Sequence, residues 1–114
     1  ATSGPPENVA FVLKNLEISR FFDVTVDDSM VIEGKPDPRI FLEASRLLGL
    51  PPGNCVVLED SVHGLEAAGR AGMKAICINH TGPESVRQLA LACLNDFTGL
   101  KAGKIKEFIN GKQK

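Results

Sequence analysis

Tryptophan and tyrosine are absent, and six phenylalanines are the whole aromatic supply, which argues against the stacking platforms that hold single-stranded bases. An excess of positive charge is missing too. Thirteen lysines and arginines face fourteen acids, for a net charge of -1, so the basic footprint of a nucleic-acid binder is not there. No apolar run approaches the roughly 20 residues of a membrane span, and no signal peptide is read at the start. Neither nucleic acid nor membrane is an expected partner. Cysteine is scarce: Cys55, Cys77 and Cys93 stand 22 and 16 residues apart, with no CxxC pair. Each lies in an apolar stretch, which predicts three buried thiols behaving as small hydrophobes, without disulfide or zinc. An odd count of unpaired cysteines in a soluble domain predicts a reducing, cytoplasmic setting. Repeats, low-complexity segments and linkers are also lacking.

What is present is one domain's worth of ordinary globular sequence, 114 residues of which 43% are apolar, read as a single unit over 1–114. Pro5 or Pro6 opens a helical pattern through Val9, Val12, Leu13 and Leu16. Residues 22–26 alternate and are β-branched, predicting a short strand that ends near Asp27. A loop over 29–37 follows, and Asp37 with Pro38 predicts the start of a helix that carries Ile40, Phe41, Ala44, Leu47 and Leu48 and stops at Gly49. The apolar run at 55–58 predicts a strand covered on both faces. A helix over 61–71 follows, capped by Gly72. A buried strand over 74–79 and a helix over 84–91 come next, then a short apolar piece at 92–94 and a solvated last helix with Ile105, Phe108 and Ile109 on one side. This alternation predicts an α/β fold with a doubly wound, Rossmann-like parallel sheet.

Two places carry chemistry. Glu59 and Asp60 are adjacent acids where a buried strand hands over to a helix, and in an open parallel sheet the carboxyl ends of the strands form the ligand crevice. Side by side they repel and lose hydration, so one reading puts a cation near them. Mg²⁺ suits such oxygen ligands. The other reading makes them the acidic first turn of the next helix; the residues alone leave both open. Lys35, between Gly34 and Pro36 in a loop stiffened again by Pro38, is either an exposed loop lysine or a fixed positive charge for a phosphoryl group or carboxylate. In the helix after the acids, Gly64 and Gly69 each cost about 1 kcal/mol relative to alanine, which predicts close packing against the sheet. His63 is read as a surface residue.

Taken together, Gly34-Lys35-Pro36-Asp37-Pro38, Leu58-Glu59-Asp60-Ser61-Val62-His63-Gly64 and Ala67-Ala68-Gly69-Arg70-Ala71-Gly72-Met73 resemble the haloacid dehalogenase (HAD) superfamily, in its phosphatase and β-phosphoglucomutase-like branch. The resemblance implies that Thr2, with Ser3 beside it, binds the phosphoryl group. It implies that Lys35 stabilises phosphoryl charge, that Glu59 and Asp60 position Mg²⁺, and that Ser61 and Gly64 shape the loop around the acids. The substrate it implies is a small phosphorylated metabolite, and the reaction is phosphoric-monoester hydrolysis or phosphomutation through an aspartyl-phosphate. The sequence departs from the family in one respect that matters. The DxD motif that supplies the nucleophile follows no apolar strand here: Asp37 belongs to the lysine loop, and Asp27-Asp28 lacks the one-residue gap. The cap that selects substrate is absent as well. The chain therefore reads as the C-terminal half of a HAD core, inactive alone, with an incomplete sheet that calls for self-association or for an N-terminal half. The alternative is a pseudoenzyme that acts by binding. A dinucleotide site is excluded by glycine spacing, and a phosphoacceptor receiver by the lack of an early acidic cluster.

Overall fold

In the computed structural model, residues 1–78 and 84–111 are described. Three parallel strands make one sheet in the order β1-β2-β3, with β1 at Val56–Glu59, β2 at Lys74–Ile78 and β3 at Ala92–Leu94. Glu59 stands level with Cys77 of β2, and Cys77 level with Cys93 of β3. The expected α/β architecture is therefore present, with helices α1 (Pro6–Asn15), α2 (Arg39–Leu48), α3 (Val62–Arg70), α4 (Glu84–Arg87) and α5 (Ala102–Ile109).

Local chemistry explains most boundaries. Proline occupies the first position of α1, where its missing N–H costs nothing. Helix α2 starts at Arg39 with Pro38 at the cap position, one residue later than expected. The Asp37 carboxylate still accepts a hydrogen bond from the Arg39 amide at 2.9 Å, which satisfies one donor of the open first turn. Gly49 ends that helix at a φ of 71°, a left-handed conformation that favours glycine. At α3 the Ser61 hydroxyl accepts from the Gly64 amide at 3.0 Å, which satisfies one donor of the open first turn.

The core forms where α3 lies on the sheet. Leu65, Ala67, Ala68, Ile76 and Cys77 are essentially inaccessible, with Val26 and Ile40 beside them. The small alanine face of α3 lets the helix approach the strands, and each buried Leu or Ile contributes about 1.5–3 kcal/mol.

Several expectations are corrected. Residues 22–26 form no strand: a 3₁₀ turn covers Ser19–Phe21 and the chain then runs extended. It makes two backbone bonds to residues 2–4, Thr2 N–H to the Val26 carbonyl at 2.9 Å and Asp28 N–H to the Gly4 carbonyl at 3.1 Å. A ladder needs a longer partner, and Pro6 turns that partner into α1. Strand β1 is covered less than its apolar run implied. Val57 is buried but Leu58 is 40% exposed, because β1 has no neighbour on its outer edge among the described residues. A groove of about 210 Å³ runs there, lined by Phe41, Leu48, Val56 and Leu58 among others. The same opening leaves Leu48 of α2 about two-fifths exposed, and Leu47 beside it, outside that lining, is exposed to a similar extent. Cys77 is buried, but Cys55 and Cys93 are only half-buried. Gly69 packs against nothing within 4 Å of a would-be Cβ. Helix α4 ends at Arg87, short of the expected 91. Asn79, expected to end β2, and Lys112 and Lys114 of the tail lie outside the described residues.

Candidate active site

The two chemistry-bearing segments meet. Lys35 Nζ donates to Glu59 Oε2 at 2.9 Å across 24 residues of sequence, with the two side chains only 15% and 9% exposed. Three elements bring this about. Strand β1 delivers Glu59 at its carboxyl end, level with Cys77. The loop before α2 delivers Lys35, and Arg70 near the end of α3 donates to the Pro36 carbonyl at 3.3 Å. Phe41, in the first turn of α2, places its ring centroid 5.2 Å from the lysine ammonium. The cation thus sits between an anion and an aromatic face, both of which favour it once water is excluded.

The Glu59 carboxylate is held at its other oxygen as well. Oε1 accepts from the Ser61 hydroxyl at 3.0 Å, from the Asp60 amide at 3.2 Å and from the Ser61 amide at 3.3 Å. Burial pushes the Glu59 carboxyl up, but the hydrogen bond and charge of Lys35, helped by both Ser61 donors, outweigh it and hold the group below the ordinary carboxylate value. Glu59 is therefore an anion at neutral pH.

A cavity of about 460 Å³ opens in front of this pair, and its lining includes Thr2, Lys35, Glu59, Asp60, Ile78 and Phe97. Four of the five expected site residues thus share one opening at the carboxyl ends of the strands. Ser3 is exposed and outside that lining. The Thr2 hydroxyl accepts from the Gly4 amide at 3.1 Å, which fixes the hydroxyl's position while its own proton stays free to donate. His63 is exposed, as read from the sequence.

The donor set suits a hard cation. Glu59 and Asp60 both line the cavity, and no cluster of three or more His, Cys, Asp or Glu able to hold a metal occurs among the described residues. Two carboxylates, completed by water and phosphate, are what Mg²⁺ ordinarily takes, whereas an all-protein zinc site needs more ligands.

Sequence reasoning missed three contributors. Phe41 read as a core residue, while Arg70 and Phe97 were given no role of their own. Only Phe41 had a usable signal, since the Asp37 bond to Arg39 fixes the first turn of α2 relative to Lys35.

Comparison with known proteins places these features in context. A family model for haloacid dehalogenase-like hydrolases matches residues 1–72. A phosphorylated carbohydrates phosphatase of Thermotoga maritima is 42% identical over 76 residues, covering 67% of this chain and 35% of that protein. A β-phosphoglucomutase of Bacillus subtilis is 34% identical over 91 residues, covering 80% and 40% respectively. Among solved structures, a β-phosphoglucomutase from Clostridium difficile superposes with a TM-score of 0.81 at 30% identity, over 92% of this chain and 46% of that one. The chain spans less than half the length of each of these relatives.

Proposed function

The chain belongs to the haloacid dehalogenase-like hydrolase family, and from that premise we propose that it supplies the charge-neutralising side of a Mg²⁺-dependent phosphatase or phosphomutase site for a small phosphorylated metabolite. The observation that carries the reading is the Lys35–Glu59 pair at 2.9 Å, opening on a cavity shared with Asp60 and Thr2.

In this reading Thr2 donates its hydroxyl proton to a phosphoryl oxygen, and Lys35 brings a fixed positive charge to the oxygens on which charge accumulates. Glu59 holds the lysine in place, and Glu59 and Asp60 are the residues that would hold Mg²⁺. The cation, when bound, would polarise the phosphoryl group and neutralise its charge. The attacking carboxylate belongs to the whole protein, since no DxD follows an apolar strand in these 114 residues. Attack by that aspartate would form an aspartyl-phosphate as the ester P–O bond breaks and the alcohol leaves, taking up a proton. Water or a second hydroxyl would then take the phosphoryl group, give up its proton and free the carboxylate.

The test is turnover of a generic aryl phosphate by the protein that joins this chain to its nucleophile-bearing segment. Hydrolysis is expected with Mg²⁺ and not with chelator, and Lys35→Ala is expected to lower kcat by at least about 10²-fold, the range for losing one transition-state stabilising group. Unchanged turnover by Lys35→Ala rejects the assignment. The missing DxD favours a second reading, a binding module without turnover. Retained phosphate binding with no hydrolysis by the joined protein selects it.

A further inference from the structure

We propose that Gly64 is a positioning residue whose absent side chain is the seat of the Glu59 carboxylate, so that this one glycine sets the Lys35–Glu59 pair. A Cβ built at Gly64 would stand 1.9 Å from Glu59 Cδ and 2.2 Å from both Cγ and Oε2. Real carbon atoms do not approach so closely, and Oε2 is the oxygen that accepts from Lys35. The Gly64 backbone reinforces the seat, because its amide donates to the Ser61 hydroxyl at 3.0 Å and that hydroxyl donates to Glu59 Oε1 at 3.0 Å.

Ordinary uses of glycine do not account for the residue. Gly64 is not among the glycines with positive φ, so no left-handed conformation requires it. Inside a helix glycine is about 1 kcal/mol worse than alanine. Gly69 in the same helix makes the contrast, with nothing within 4 Å of its would-be Cβ. What distinguishes Gly64 is the acid packed on it. The consequence for catalysis rests on the phosphate-site reading above; the seat itself does not.

The experiment is a double-variant cycle on the full chain, without metal or phosphate, read by thermal melting. Gly64→Ala is expected to lower Tm or abolish the transition, because Glu59 is driven off Lys35. In the Glu59→Ala background the same substitution is expected to raise Tm by about 4 °C, the helix-propensity gain. Gly69→Ala in the native background is expected to raise Tm by a similar amount. A sign reversal that depends on Glu59 cannot arise from a general packing role of residue 64. Equal effects of Gly64→Ala in the two backgrounds, or a double variant that fails to fold when Glu59→Ala alone folds, overturn the proposal. Failure here leaves the phosphate assignment standing, and failure of the Lys35→Ala turnover test leaves this cycle untouched.

Discussion

Ile76 and Cys77 in the middle of β2 expose no surface, whereas Phe11 and Leu16 on or beside α1 are 67% and 63% exposed. Both regions carry large apolar side chains, four apolar residues of five in β2 and five of ten in α1. They differ in what lies around them: β2 has a strand on each edge and α3 on one face, while α1 buries no residue at all. Hydrophobic patterning specifies which side of an element wants covering, and only a neighbour covers it. The candidate site sits at the border between the two regimes. Glu59 is anchored through β1 to the covered side, and the cavity in front of it opens where the cover stops.

That contrast can be broken from the covered side with the largest effect. Ile76→Ala is expected to cost about 2–5 kcal/mol by denaturant unfolding, the range for emptying a packed position, while Phe11→Ser on α1 changes stability by no more than about 0.5 kcal/mol. A large loss from Phe11→Ser would show that α1 is covered in solution. At the border the expected effect is intermediate. Ser61→Ala removes the α3 cap, worth about 1 kcal/mol, and also one donor to Glu59. A similar loss in a Glu59→Gln background would mean that the cap acts alone.

The smallest effect is the dependence on pH. Because the Glu59 carboxyl is held below its ordinary value, its contribution to stability is complete above that ordinary value and is lost as pH falls through the depressed folded-state value. The drop in unfolding free energy between neutral and acidic pH is therefore expected to be smaller in Glu59→Gln than in the native chain. An identical drop in both would show that the ion pair contributes nothing to folding.

The helices and strands that hold the site were legible in the sequence because their signals are local. Gly49 and Gly72 mark the ends of α2 and α3, both at positive φ. Ser61 marks the start of α3, and the apolar runs at 56–58 and 74–78 become strands. The adjacent acids were legible for the same reason, since a carboxylate pair at the end of an apolar run is a feature of neighbouring residues. The strand expected at 22–26 shows where local signals stop. Its alternation was real, but a strand exists only through hydrogen bonds to a partner, and residues 2–4 offered two before turning into α1.

The sequence by itself thus determined which residues could carry charge and which local shapes would present them. Tertiary structure decided that Lys35 reaches Glu59 across 24 residues, that Phe41 backs the lysine, that Thr2 lines the cavity while Ser3 does not, and that Gly64 yields its space to an acid. The reason is physical. Propensity and capping act within a turn or two of the chain, whereas contact between distant side chains depends on how whole elements pack, which no short stretch of sequence encodes.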